Sequence, residues 1–185
     1  DKDIDDYQSI FAKNIGSVAA PTASLHFTES LIGELKNKGI AISTVTLHIG
    51  LGTFLPIKVK NLNDHVMHEE YGEVSEEVIE KIYKTKSRNG RIITIGTSSM
   101  RILESAFSNN IKKEFKGNTS LFIKPGFQFK IVDMLITNFH LPKSTLLMLV
   151  CAFAGKENIF KAYQYAIENK YRFFSYGDAM LLYRL

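Results

Sequence analysis

Apolar positions recur along this chain with two alternating periods, one helical and one extended. Residues Ile4 to Lys13 carry helical spacing through Ile4, Tyr7, Ile10 and Phe11. A loop of small residues with one proline follows, from Gly16 to Phe27. Thr28 is placed to cap a helix that runs to Lys38 and stops at Gly39. Ile40 to Ile49 has the composition of a buried strand and ends in the turn Gly50-Leu51-Gly52. The stretch from Asn61 to Tyr71 is polar. Ser75 then caps a helix with Glu76 and Glu77 in its first turn, where the positive helix end favours them, and that helix ends before Gly90. Arg91 to Ile95 is predicted as a strand that turns through Gly96-Thr97-Ser98-Ser99 into a helix reaching Phe107. Leu121 to Lys124 and Lys130 to Thr137 have strand composition. Pro142 and Ser144 open an apolar helix that Gly155 closes; Glu157 to Asn169 is amphipathic, and Ala179 to Tyr183 is a last strand.

Strand, turn and helix in repeating order are the mark of an α/β fold. The expectation is one α/β domain over residues 1–185, three-layered α/β/α, with a mixed, mostly parallel sheet covered on both faces. Ligands of such sheets bind beyond the carboxyl ends of the strands. The residues with unusual chemistry in this chain fall where strands end.

Composition narrows the picture. With 45% hydrophobic and 23% charged residues, the chain has the material for a real core. The longest apolar run, Leu146 to Ala154, is far short of the roughly 20 residues that cross a bilayer. The first residues, Asp1 to Asp6, are acidic and unlike a secretory leader. Cys151 is the one cysteine, which excludes an internal disulfide and fits a cytoplasmic location. The net charge is +4. Lys81, Lys84, Lys86, Arg88 and Arg91 form one basic cluster, and Lys112, Lys113 and Lys116 another. Each is either a solvated face or a contact for a polyanion.

Five histidines, His26, His48, His65, His68 and His140, sit at predicted strand ends or in loops. Histidine is the side chain best suited to proton transfer near neutral pH, and a hydrogen-bonded structural role is the alternative for each. His65, His68 and Glu69 have the donor types for a metal, but not the spacing of a zinc protease, and no metal is expected. Gly50, Gly52 and Thr53 form a turn that would let a nucleotide approach the backbone. Gly96 to Arg101 presents amides, hydroxyls and a cation at a helix start, with Thr97, Ser98 and Arg101 placed for a carboxylate or phosphate. Asp133, in an apolar stretch, needs a partner. Asn138, Phe139 and His140 end the same stretch, and Arg172 among aromatics, with Phe173 beside it, can either stack on bases or pack in the core.

Taken in order, the segments Gly16–Phe27, Leu47–Phe54, His65–Tyr71, Gly96–Arg101 with Leu103–Ser105, Pro125–Gly126, Thr137–Thr145 and Tyr171–Asp178 resemble the S-adenosylmethionine:tRNA ribosyltransferase-isomerases of queuosine synthesis. The resemblance extends from Tyr7 to Tyr183; Ser24, Ser98 and Met100 depart from the family's usual Gly, Thr and Val. Members are longer, with an N-terminal segment and a β-barrel insert largely absent here, so this chain corresponds to a C-terminal portion. The resemblance implies transfer and isomerisation of the ribosyl moiety of S-adenosylmethionine onto 7-aminomethyl-7-deazaguanine at the tRNA wobble position. The products are epoxyqueuosine-tRNA, adenine and methionine, so S-adenosylmethionine is a consumed ribosyl donor. It further implies a cytoplasmic, monomeric enzyme that meets the anticodon stem-loop.

On that resemblance His26, His48, His140 and Asp178 (with Asp133 as a second carboxylate) are candidates for proton transfer. Gly50, Gly52, Thr53, Thr97, Ser98 and Arg101 would hold S-adenosylmethionine. His68, Glu70, Asn138, Phe139, Arg172 and Phe173 would meet the tRNA base and its ribose. Three rival expectations remain: a methyltransferase using the Gly50 turn, a metal-dependent hydrolase using His65, His68 and Glu69, and a tRNA-binding fragment without activity. Pro56 argues against a helix after the Gly50 turn and so against the first.

Overall fold

The computed structural model describes residues 7–12, 16–17, 20–50, 66–108, 111 and 113–185. Three helices start where a hydroxyl can take an orphan amide. Thr28 caps α1 (Glu29–Asn37) by accepting from Leu31 N–H, and Ser75 caps α2 (Glu76–Ser87) by accepting from Val78 N–H. Ser144 caps α4 (Thr145–Ala154) through Leu147 N–H, and Gly155 at φ +85° separates it from α5 (Lys156–Glu168). Between them, α3 spans Thr97–Ser108, and a short 3-10 helix spans Thr22–His26.

The strands form two three-stranded sheets. In the first, β1 (Thr46–His48) and β4 (Phe115–Thr119) pair antiparallel on either side of β2 (Glu70–Val74). In the second, β5 (Met134–Asn138) is central; β3 (Ile93–Ile95) runs parallel to it and β6 (Ala179–Tyr183) antiparallel. The α/β class is as expected. The parallel component, however, is confined to the β3–β5 pairing rather than dominating one sheet.

Helix α3 packs against strands of both sheets, and its buried residues Met100, Ile102 and Leu103 join Val74, Leu135, Val150 and Phe153 in one core. Its approach to β2 is close: a Cβ on Gly72 would overlap Ile102 Cδ1.

Four elements differ from the expectation. The buried strand expected over 40–49 narrows to Thr46–His48, and residues 40–44 are mostly exposed. Residues 7–12 of the helix expected over 4–13 form turns, because Ser9 Oγ takes the N–H of Phe11 and lies 2.6 Å from Ser24 Oγ. The strand expected at 121–124 is displaced to Phe115–Thr119, a Lys-, Gly- and Asn-containing segment that pairs with β2 in full register. Pairing with a neighbour overrode local propensity there. The strand expected from 130 begins only at Met134. The N–H groups of Lys130, Ile131 and Val132 instead donate to the carboxylate of Glu104, at 2.7, 3.1 and 2.9 Å.

Candidate active site

The carboxyl ends of β3 and β5 lie together, tied by Gly96 N–H donating to Ile136 C=O at 2.8 Å. Gly96 adopts φ +86°, and this turn points the first amides of α3 beyond the sheet. Thr97 is buried and Ser98 half-buried. The 3-10 helix packs beside them: a Cβ on Gly96 would stand 3.8 Å from Ala23 Cβ. His26 ends that helix, exposed.

Asn138 ends β5 with its side chain buried. Its Nδ2 donates to the carbonyls of Phe174, Ser175 and Gly177, at 2.9, 3.1 and 3.5 Å. It therefore holds the loop that leads from α5 to β6. Phe139 is buried in an aromatic cluster with Tyr163, Tyr171 and Phe173, with ring centroids 5.2, 6.2 and 5.0 Å away. Of the two contributions expected of Phe139 and Phe173, core packing is the one the geometry displays. His140 follows. Its ring Nε2 lies 3.1 Å from Thr137 Oγ1, and its backbone N–H donates to Tyr163 Oη at 2.7 Å. Burial pushes the His140 imidazole down to about 4 and the Tyr163 phenol up to about 12. His140 is thus neutral near pH 7 and holds a proton weakly.

Asp178 closes the 171–178 loop by accepting Arg172 N–H at 2.8 Å and its guanidinium at 3.3 Å. That amide bond, then the Arg172 guanidinium and the nearby His26, hold its carboxyl below the usual carboxylate range. His26 and Asp178, far apart in sequence, therefore share one electrostatic environment at the sheet end.

A second group lies at the end of the antiparallel sheet. His48 ends β1 opposite Tyr71 and stacks on its ring at 6.1 Å. Gly16 also lies against the imidazole; a Cβ there would sit 2.8 Å from His48 Nδ1. Ser17 Oγ accepts Ile49 N–H at 3.1 Å. The chain from Gly16 to His26 thus touches both groups. Gly50 follows β1, and a Cβ on it would meet nothing within 4 Å. Gly52, Thr53 and His65 lie outside the described residues. His68 is exposed ahead of β2.

Arg101, expected to grip a ligand, is 3% exposed and already holds a carboxylate. Its Nη1 donates to Glu70 Oε2 at 2.7 Å and its Nε to Leu121 C=O at 3.3 Å. Two residues expected on cofactor and substrate are here joined in one buried pair. Asp133 is also paired, accepting Lys86 Nζ on both oxygens at 2.6 Å and Ile92 N–H at 2.7 Å, which fixes the start of β5 rather than a reacting centre. Within the first basic cluster Lys81 and Lys84 pair with Glu77 and Glu80 one turn earlier; in the second, Lys116 pairs with Glu114, and Lys112 lies outside the described residues.

Tyr163 was not singled out from the sequence, yet it positions His140; Glu104, offered only within the segment Leu103–Ser105, organises the backbone ahead of β5. Besides that segment, the sign of Glu104 was a carboxylate in the most apolar part of α3; Tyr163 carried none. Among the described residues no group of three or more His, Cys, Asp or Glu side chains converges on a common point suited to a metal ion. An open cleft lined by Ile32, Lys36, Ser43 and Lys81 holds none of the candidate residues.

A family model described as queuosine biosynthesis protein matches residues 1–182. A Coxiella burnetii (strain CbuG_Q212) protein named S-adenosylmethionine:tRNA ribosyltransferase-isomerase is 59% identical over 176 residues, covering 95% of this chain and 51% of that protein. A Carboxydothermus hydrogenoformans protein of the same name is 56% identical over 181 residues, covering 98% and 54%. The crystal structure of S-adenosylmethionine tRNA ribosyltransferase from Thermotoga maritima superposes with a TM-score of 0.74 at 46% identity, over 86% of this chain and 50% of that one. The chain spans about half the length of the curated relatives it matches.

Proposed function

This chain belongs to the queuosine biosynthesis protein family, and from that membership we propose that the full-length protein is an S-adenosylmethionine:tRNA ribosyltransferase-isomerase. Its substrates are S-adenosylmethionine and a tRNA carrying 7-aminomethyl-7-deazaguanine at the wobble position; its products are epoxyqueuosine-tRNA, adenine and methionine. The observation that carries the reading is identity above half over nearly the whole chain to relatives of that name.

The chemistry requires a base near the ribose 5′ carbon, whose C–H the neighbouring sulfonium acidifies, and a proton for the departing adenine. Support for His26 comes from its electrostatic reach to Asp178, whose orientation Arg172 fixes. His48 is the second candidate, in contact with Gly16 and stacked on Tyr71. His140, being neutral and a weak base, is better suited to hydrogen bonding than to taking that proton. The amides and hydroxyls of Thr97 and Ser98 suit the methionine carboxylate. Gly50, Gly52 and Thr53 would complete the S-adenosylmethionine site. The Arg101–Glu70 pair supports this site from beneath, and His68 is left accessible for a ribose hydroxyl. The protein acts as a soluble cytoplasmic monomer; no described helix is long and apolar enough to cross a membrane.

The test is incubation of the full-length protein with S-adenosylmethionine and the 7-aminomethyl-7-deazaguanine tRNA. Adenine and methionine should appear together, and only with that tRNA. Release of S-adenosylhomocysteine instead would overturn the reading in favour of methyl transfer. His26→Ala and His48→Ala should each lower the rate by about 100-fold or more if the residue moves a proton.

A further inference from the structure

The loop from Tyr171 to Asp178 spends more structure on its shape than its own packing uses. Asn138 binds three of its carbonyls, Phe174 N–H donates to Phe139 C=O at 3.2 Å, and Asp178 N–H donates to Arg172 C=O at 2.9 Å. The loop closes so tightly that a Cβ on Gly177 would lie 2.5 Å from the carbonyl carbon of Phe173. Phe174 is held at φ +71°, a region that bulky side chains avoid. Such strain persists only where surroundings impose it, and it gathers at functional positions. Here the strained turn does not bury the ring it carries. Phe174 is 53% exposed and Tyr176 50% exposed, while Phe139 and Phe173 on the same two segments pack inward.

Tyr176 is braced as well as exposed. The Tyr7 ring tilts against it at 5.4 Å, and Tyr7 Oη donates to Ser175 Oγ at 3.3 Å. Exposed cations lie on the same segments: Arg172 in this loop, Lys170 just before it, and Lys143 on the loop after β5. Asp178, the acidic residue of the segment, is countered by Arg172. Rigid exposed aromatic faces on segments that also carry exposed cations match an unpaired nucleobase and its phosphates.

We propose that Phe174 and Tyr176 form a stacking platform for an unpaired base of an RNA loop, delivered beside His26 and Asp178. The proposal rests on the functional reading above and names residues for its tRNA-binding step. The rings of Phe139 and Phe173, by contrast, pack in the aromatic cluster with Tyr163.

Phe174→Gly separates this platform from a packing role. Glycine takes φ +71° without strain, so thermal stability should be unchanged or higher. Affinity of the full-length protein for an anticodon stem-loop RNA, read by fluorescence anisotropy, should fall by about 10-fold, as for the loss of one stacked base. Tyr176→Ala should do the same and Tyr176→Phe should restore binding. With 2-aminopurine at the wobble position, the wild type should quench its fluorescence and Phe174→Gly should not. Wild-type RNA affinity in Phe174→Gly overturns the proposal. So does a large drop in its melting temperature, which would mean that the ring packs against another part of the protein. If the wild type releases no adenine from S-adenosylmethionine but quenching is lost in the variant, the functional reading fails and the platform stands.

Discussion

Glu104 offers the sharpest test of how the backbone ahead of β5 is held. It is 0% exposed, and its two oxygens accept three consecutive main-chain N–H groups just before β5. Hydrogen bonds to a charged acceptor contribute about 1.5–3 kcal/mol each, and a buried donor left without a partner costs about 1–3 kcal/mol. Glu104→Gln keeps the shape. Its amide oxygen can still serve Ile131 and Val132, but its NH2 group would face Lys130 N–H, donor against donor. One charge-assisted bond is lost and two are weakened, so a cost of about 2–3 kcal/mol is expected. Glu104→Ala strands all three donors and leaves a cavity, for about 4–6 kcal/mol. That is comparable to the whole stability of many domains. Urea unfolding of the two variants measures this directly, and in a thermal melt the Gln variant should unfold roughly 5–12 °C earlier. The m-value should stay constant in the Gln variant, since the exposed area on unfolding is the same. A Gln variant within about 0.5 kcal/mol of wild type would refute the reasoning, because three amides would then be satisfied without the charge.

Two further outcomes follow from the same geometry. His140 binds a proton less readily folded, at about 4, than at its ordinary 6.5, so folding stability is fully present above 6.5 and is lost as pH falls toward 4. Between pH 7 and pH 4.5 wild type should lose about 2.5 kcal/mol more than His140→Asn, read by urea unfolding at both values; equal losses would refute it. Gly72→Ala should destabilise by about 1–3 kcal/mol through the overlap with Ile102 Cδ1, and Ile102→Val, which deletes that atom, should recover part of the loss in the double variant.

Local chemistry was legible in the sequence wherever one turn of chain decides the outcome. Thr28, Ser75 and Ser144 each accept the amide three residues on, as their types and places predicted. The α4–α5 break at Gly155 is legible for the same reason. Strand pairing was not, because Phe115–Thr119 becomes a strand only through β2, whose register no local propensity encodes. Nor was the partner of a charge. Arg101 at a helix start has the appearance of a ligand-binding group, and only the tertiary fold reveals that Glu70 occupies it. The aromatic segment shows the limit most clearly. Residue types alone do not distinguish Phe173, half-buried against Phe139 and Tyr163, from Phe174, which sits at a positive φ with its ring in solvent.

The candidate reacting groups and the groups that place them are different in kind. His26 and Arg172 are exposed, and Asp178 is partly so. Beneath them, Asn138 holds three carbonyls, Arg101 reaches Leu121 C=O, and Tyr163 accepts His140 N–H, while Glu104 holds three amides ahead of the other end of β5. Each supporting group is a polar side chain committed to main chain. A loop cannot be fixed by apolar packing alone, since its backbone groups need partners that neighbouring strands do not supply. A site built on loops at the end of a sheet therefore needs such side chains to keep its geometry within the few tenths of an ångström that proton transfer demands. The sequence places them on the regular elements, in β5 and on α3 and α5, where packing locks their rotamers. Hence buried polar residues that touch no substrate should govern the rate as strongly as the exposed ones that do.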